Sequence, residues 1–404
     1  MFNKKFEDIK FQDIENLIEQ GVVEYQNLEY KREVWGGSDS NKKEMLKDVT
    51  SMANKYGGNI IIGIEEDGET GKANAVCNIP NAEQERDRVL STLITSVQPR
   101  IPSVKIKVVG DDIKVILISI PNSFKKPHLI TFQGINQFWI RHDRQKSLMS
   151  IDEIQDSIIN TVNITKDITG FLDDRKEEIL KEANVEPTFI IGAFPVTAEK
   201  EMIDIGDQQI RNFLKKPPNE RYGGANFEFN YGNPPAPSYY GLSAGGGQDW
   251  RKMELHRNGY LEAIVKIDDF LDERRRSNTQ SSHTIPEENE DYPIISNRAI
   301  VEYIYSFFKQ CNQIYSYYGY DGQVYVYCSF INIKNFGLKK YRAGSIGGFN
   351  DLARWRKDNL DIKPIAFTEI DEIKIAKTLS DRIWQSFGFE GEPYLRDGAF
   401  QFGG

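Results

Sequence analysis

Glu24-Tyr25-Gln26-Asn27-Leu28-Glu29-Tyr30-Lys31 and Ser51-Met52-Ala53-Asn54-Lys55-Tyr56-Gly57-Gly58-Asn59-Ile60-Ile61-Ile62-Gly63-Ile64-Glu65-Glu66-Asp67-Gly68 decide how this chain is read. The second stretch closes a helix, turns at Gly57-Gly58 and enters a run, Asn59 to Ile64, that is apolar on both faces. Such a run reads as a central strand. The first stretch lies in a strand through Val22 to Lys31. Alternate strand residues share a face, so Glu29 and Lys31 point the same way. Glu24 falls on the other face unless the chain bends near Gln26. Glu65 and Glu66 sit where the central strand leaves the sheet. Carboxylates and a lysine at the ends of neighbouring strands make either a metal-dependent phosphodiester site or the polar rim of a sheet.

Around these stretches, Phe6 to Glu19 has helical apolar spacing and ends at Gly21. Ser40 or Asn41 can cap a helix from about Lys42 to Lys55, with Met45, Leu46, Val49, Met52 and Ala53 on one face. A helix over Ala82 to Val97 precedes strands at Ser103–Val109, Ile113–Ile120, Leu129–Phe132 and Gln137–Arg141, the first two joined by the turn Gly110-Asp111-Asp112. The expected fold class is α/β, an N-terminal mixed sheet with packed helices, followed by a C-terminal α+β domain. Residues 1–150 form the first domain and 186–404 the second, with a connecting helix at 151–185. That helix is amphipathic from Ile151 to about Glu182, which suits packing on its own domain and leaves a homodimer as the alternative. Beyond it the pattern gives a strand at Thr188–Phe194, a helix at Asp207–Leu214, an irregular stretch at Pro217–Gly247 and a strand near Tyr260–Ile267. A polar segment follows at Arg276–Pro293, read as a mobile loop, then a helix at Ser296–Tyr318 and a strand at Gln323–Ile333.

Composition narrows the function classes. A chain of 404 residues is long for one core, and 39% hydrophobic with 27% charged residues is ordinary for a globular protein. No apolar stretch is long enough to span a membrane, and Met1 to Asp8 lacks the apolar core of a signal peptide. Cys77, Cys311 and Cys328 are scattered, which suits a reducing cytoplasm. The net charge of −9 argues against nucleic acid as a partner, but residues 1–150 hold 21 Lys and Arg against 21 Asp and Glu, so the deficit lies entirely beyond them. A neutral domain can present a basic face, and the local field governs phosphate binding.

Two constellations carry chemistry. Converging carboxylates with a lysine suit Mg²⁺ or Mn²⁺, the metal polarising a phosphate and the lysine offsetting charge in the transition state. The competing reading is solvated or ion-paired strand ends, the commoner fate of such carboxylates. The second constellation is basic and aromatic: Lys125 and Lys126, then Trp139, Arg141, Arg144 and Lys146, with Trp139 and Arg141 on one strand face and Arg144 and Lys146 in the loop beyond. Cations supply phosphate contacts and an aromatic can stack on an unpaired base; a core tryptophan at a solvated strand end is the bland alternative. Gly68-Glu69-Thr70-Gly71-Lys72 is not a P-loop, because Glu66 and Ala73 stand where glycine and Ser or Thr are needed. The four histidines show no zinc spacing.

The Glu24-x4-Glu29-x-Lys31 motif, the helix ending Met52-Ala53-Asn54, the Gly57-Gly58 turn, the strand ending Ile62-Gly63-Ile64-Glu65, and Phe138-Trp139-Ile140-Arg141 together resemble the Schlafen-type AlbA_2 domain over roughly residues 10–155. The resemblance implies nucleic-acid binding; animal Schlafens of this family cut tRNA and rRNA with three carboxylates. On that basis Glu24 and Glu29 match the two family glutamates, Lys31 the nearby lysine, and Glu65 or Glu66 the third acid, which is usually Asp in the nucleases. The implied metal ligands are Glu24, Glu29 and Glu65. The leading expectation is a cytoplasmic nucleic-acid-binding protein acting as a metal-dependent endoribonuclease on structured RNA such as tRNA, in a bacterial defence or stress setting. The alternative is a non-catalytic DNA- or RNA-binding regulator whose carboxylates are structural. A nucleotide-binding switch, the third class, lacks its P-loop.

Overall fold

In a computed structural model the apolar run of the opening motif becomes an interior strand. The model describes residues 6–123, 125–182, 186–196, 201–218, 225, 227, 234–245, 251–267, 293–320, 322–339, 352–396 and 399–400. A 3₁₀ turn, Phe6–Asp8, leads to α1 (Phe11–Glu19), β1 (Leu28–Lys31), α2 (Asp39–Ala53) and β2 (Gly58–Ile62). The hairpin of β3 (Ile64–Glu66) and β4 (Ala73–Val76) precedes α3 (Ala82–Ser96) and β5 (Val97–Gln98). Then come β6 (Lys105–Val109), β7 (Val115–Ile120), β8 (Leu129–Phe132), β9 (Ile135–His142) and β10 (Gln145–Leu148).

One sheet has the order β1-β2-β7-β6 and a second the order β10-β9-β8-β5. β2 runs parallel to β1 and antiparallel to β7, so the first sheet is mixed, as the sequence suggests. Both faces of β2 are covered, which is why it is apolar throughout. Ile60 and Ile62 lie under α2 and α3 with Met45, Val49, Met52 and Val89. Ile61 faces the other way, with Leu28, Tyr30 and Leu117, against Ile14 and Leu17 of α1. The Gly57-Gly58 turn has a close-approach reason: φ is +71° and +149°, and a Cβ at Gly58 would lie 2.4 Å from the Asn27 carbonyl oxygen.

Three local expectations need correction. The first strand joins β2 only from Leu28, while Val23 bridges Lys72, because Tyr25 and Leu28 bond each other's backbone and close a turn at Gln26-Asn27. The bend that alternation left open is therefore present. Ser38, rather than Ser40 or Asn41, caps α2, its Oγ accepting from the Asn41 amide. Lys146 lies on β10 rather than in a loop.

Long helix α4 (Ile151–Glu182) follows, and the chain divides by its internal contacts between Phe171 and Leu172, within that helix. Ile168, Leu172 and Ile179 are buried, whereas Ile151 (74% exposed), Ile158, Ile159 and Val162 face solvent. Packing on its own domain thus accounts for only part of the amphipathic pattern.

The second unit adds β11 (Thr188–Pro195), α5 (Gln208–Lys215), β12 (Ala236–Pro237), β13 (Gly241–Gly245), β14 (Arg251–His256), β15 (Leu261–Lys266), β16 (Ile294–Ile295) and α6 (Asn297–Tyr317). β17 (Val324–Ile331), β18 (Gly337–Lys339), β19 (Leu352–Arg354), β20 (Leu360–Phe367) and α7 (Glu372–Ser386) follow. Its main sheet is antiparallel, in the order β12-β13-β14-β15-β11-β17-β20, so this part is α+β. The proposed loop at Arg276–Pro293, except Pro293, lies outside the described residues, as does much of Pro217–Gly247.

A buried charge cluster holds α4 to this sheet. Glu254 and Glu262 are directly opposite on β14 and β15, an arrangement that repels. Arg175 of α4 resolves it: Nη2 lies 2.8 Å from Glu254 and 2.5 Å from Glu262, and Nη1 lies 2.7 Å from Glu178. Tyr260 donates its hydroxyl to Glu262 at 3.0 Å. Burial keeps the Glu262 carboxyl above the usual glutamate range despite the guanidinium. Arg175→Ala strands two buried carboxylates and is expected to cost roughly 3–5 kcal/mol. The readout is a lower denaturant midpoint for the full chain, partly restored by adding Glu254→Gln and Glu262→Gln. An unchanged midpoint contradicts this.

Candidate functional site

The alternation of β1 decides which groups meet. Glu29 and Lys31 are opposite Ile60 and Ile62, so they share the face covered by α2. On α2 the apolar stripe Met45, Val49 and Met52 contains Asp48, three residues after Met45 and four before Met52. Its carboxylate is fully buried, at 0% exposure. On the second sheet Arg141 of β9 and Lys146 of β10 are directly opposite, on one face.

These side chains form one network. Lys31 Nζ lies 2.5 Å from Glu29 Oε1 and 3.3 Å from Asp48 Oδ2. Arg141 Nη1 lies 2.8 Å from Glu29 Oε2. This contact misses hydrogen-bond geometry, since neither atom has a hydrogen-bond partner, so it is an electrostatic pair. Lys146 pairs with Asp48 Oδ1 and, at 2.5 Å, with Glu44 Oε1. The Trp35 indole N–H donates to Asp48 Oδ2 at 2.8 Å. Burial alone would raise Glu29, but Lys31, Arg141 and Lys146 outweigh it and hold the carboxyl below the usual range. Asp48 is raised, because burial and neighbouring Glu29 exceed the pull of Lys31 and Lys146. Lys31 and Lys146 are both raised: burial opposes their charge, and the Asp48 carboxylate with its neighbours more than restores it.

The other sequence-proposed acids stand apart from this network. Glu24, in the loop before β1, accepts the Tyr30 amide at 2.5 Å and so covers the free edge of the sheet. Arg144 lies 3.7 Å from its other oxygen and is 43% exposed. A Cβ at Gly71 would sit 2.3 Å from the Arg144 guanidinium, so the glycine makes room for that arginine. Burial raises the Glu24 carboxyl, and Glu66 and Glu29 add to the rise. Glu65 pairs with Arg32 at 2.8 Å, the arginine exposed and the glutamate half-buried.

Among the basic and aromatic candidates, Arg141 is 3% exposed and committed to Glu29, which removes it from the surface. Trp139 is half-buried against the core, with the Lys47 ammonium 4.6 Å from its ring centre. Lys125 is exposed and Lys126 half-buried. Sequence reasoning missed Asp48, Glu44 and Trp35. The signal for Asp48 was available, as a carboxylate inside the apolar stripe of α2. It also left Asn54 without a role. That side chain donates to the His128 and Trp139 carbonyls and accepts the His128 amide, tying the end of α2 to the second sheet.

The residues do not fit a divalent ion as they stand. Among the described residues, the one group of three or more acidic, histidine or cysteine ligand atoms within 4.8 Å of one another is Glu254, His256 and Glu262, and Arg175 already fills its cation position. Glu24, Glu29 and Glu65 are not so gathered, and both Glu29 oxygens face protein cations. What the network can do is join two sheets and a helix with balanced charge.

Asp48→Ala is expected to cost about 3–5 kcal/mol, since Lys31 and Lys146 lose a buried counter-ion; wild-type stability overturns the assignment. A pH series checks Glu29. Because its folded pKa is lowered, the stability it supplies is present above the ordinary value of 4.5 and is lost as the pH falls through the folded value. Glu29→Gln is expected to flatten the stability curve in that acid range.

Residues 24–150 match the family model for the Schlafen AlbA_2 domain. Two solved structures are similar over about a third of the chain. The DIP2311 protein from Corynebacterium diphtheriae is 20% identical over 31% of this chain and 22% of its own, with a TM-score of 0.22. The N-terminal domain of a RecG-related protein from Nitrosomonas europaea is 13% identical over 34% of this chain and 94% of its own, with a TM-score of 0.25. The chain thus spans about a fifth of the first relative. No curated protein matches it. The segment from Glu24 to Ser150, with its mixed sheet, buried glutamate–lysine pair and bridging Asn54, is the part of the chain that matches the Schlafen AlbA_2 family model.

Proposed function

We propose that this chain is a nucleic-acid-binding protein, that residues 24–150 do the binding, and that the Glu29–Lys31–Asp48 network is scaffold rather than reaction centre. The domain match supports nucleic acid as the ligand class, and the resemblance to RNA-cutting relatives favours RNA over DNA. The observation that carries the scaffold reading is the pairing of both Glu29 oxygens and both Asp48 oxygens with Lys31, Arg141, Lys146 and Trp35. Breaking one such pair to admit another cation leaves a buried charge uncompensated, at several kcal/mol. Phosphate contacts then fall to exposed cations, with Arg144 foremost. No helix among the described residues is long and apolar enough to cross a membrane.

One observation favours the second reading, a metal-dependent endoribonuclease acting on structured RNA such as tRNA. Glu24 is held high by burial and by the negative charges of Glu66 and Glu29, a strain that Mg²⁺ or Mn²⁺ would relieve. In that reading Glu24, Glu29 and Glu65 or Glu66 hold the ion, and Lys31 steadies the phosphate.

The two readings separate in one assay. The scaffold reading expects labelled RNA to bind with an affinity that falls steeply with salt, and the log–log slope to shrink by about one phosphate contact in Arg144→Ala. Gly71→Ala is expected to mimic that loss by displacing the arginine. It also expects a tRNA pool to stay intact with Mn²⁺ present. Mn²⁺-dependent cleavage that vanishes in Glu24→Ala and Glu29→Ala establishes the nuclease instead.

A further inference from the structure

The cations of the central network are neutralised inside the protein, and Lys55 and Lys126 lie apart from it. After α2 the chain passes through Lys55 and Tyr56 before turning at Gly57. Tyr56 is 49% exposed, and the Lys55 ammonium lies 5.3 Å from its ring centre. Lys126, arriving from the segment before β8, donates its ammonium to the Lys55 carbonyl. The Thr161 hydroxyl of α4 fixes the Lys126 carbonyl at 2.8 Å, and the amide of adjacent Lys125 bonds Ser123 Oγ at 3.0 Å. Asn54 holds both segments in place through its bonds to His128. Lys55 and Lys126 therefore lie beside a half-exposed tyrosine on backbone pinned from several sides.

Among the described residues no carboxylate pairs with Lys55 or Lys126, in contrast to Lys31, Arg32, Arg141 and Lys146. The field is strong enough to act on its neighbours. Burial and the Lys55 charge push the Lys126 ammonium down to about 8. Burial, with Lys126 and Lys125, pushes His128 down to about 4. Lys55 gains something from its position just past the end of α2, where a cation suits the helix dipole. That does not answer the mutual repulsion of Lys55 and Lys126, which an external anion would.

We infer that the Lys55–Tyr56 turn and Lys126 form a binding platform for single-stranded nucleic acid, in which the two lysines hold backbone phosphates and the Tyr56 ring stacks on an unpaired base. The inference rests on the proposed nucleic-acid-binding function and adds where the strand lies and which form it takes. A base in a duplex is already stacked on both faces and has none to offer Tyr56, so the ring selects for single strands. Stacking reads no sequence, so the platform tolerates any base.

Fluorescence anisotropy on the full chain tests this, with a labelled oligouridylate, the matching single-stranded DNA and a blunt RNA duplex. The single strands are expected to bind more tightly than the duplex. Tyr56→Ala is expected to weaken single-strand binding on the order of tenfold while Tyr56→Phe keeps it. Lys126→Met is expected to lower the salt slope by about one contact. A thermal midpoint shared by wild type and Tyr56→Ala separates lost stacking from lost folding, as the ring is half in solvent. If wild type binds RNA but Tyr56→Ala binds equally well, or the duplex binds as tightly as the single strand, the platform is wrong and the broader function stands. If neither RNA nor DNA binds, the function itself is overturned and the platform with it.

Discussion

Asp48 is the constraint on which the N-terminal domain depends. Its carboxylate is fully buried in the apolar face of α2, where an unpaired charge would cost several kcal/mol. It is tolerable only because Lys31 comes from β1, Lys146 from β10 and an indole N–H from Trp35. Each partner sits on a different element, so satisfying this one group sets the position of α2 on both sheets. Glu29 repeats the arrangement with Lys31 and Arg141. The charges alternate across the interface and each cation is shared.

This balance bears on chemistry. A carboxylate ligand must present an oxygen clear of neighbouring cations, and every oxygen of Glu29 and Asp48 faces one. Moving Lys31 and Arg141 aside for a divalent ion would place two buried cations next to a third. Glu24 lies outside that argument, since burial with the charges of Glu66 and Glu29 raises its carboxyl despite the Tyr30 amide and Arg144. The domain thus combines a closed ionic scaffold with a rim where charge remains to be met, the acidic part at Glu24 and the basic part around Lys126. Nucleic acid is a ligand that would meet the basic part.

Much of this was legible in the sequence because it depends on local periodicity. β2 was identifiable from its two-sided apolar run and α2 from its stripe. Glu29 and Lys31 were placed on one face by a spacing of two. Elements of the second unit such as β11 and α6 followed from the same patterns. What escaped depends on long-range contact. The turn at Gln26-Asn27 is closed by backbone bonds that no side chain announces, and it takes Glu24 off the strand. Arg141 reads as a surface cation until its partner across the sheets is known, and only that partner explains its burial. Lys146 is on a strand because β9 continues to His142 and turns back at Asp143. Asp48 was readable in principle, because an acid at an apolar helix position needs a buried counter-ion.

The central claim is that the Glu29 and Asp48 carboxylates are internal counter-ions rather than metal ligands. Titration of the full chain with Mn²⁺, followed by the electron paramagnetic resonance signal of the free ion, tests it most directly. The account predicts no saturable site that depends on Glu29, so wild type and Glu29→Gln give superimposable curves. One tight site per chain that disappears in Glu29→Gln would contradict it.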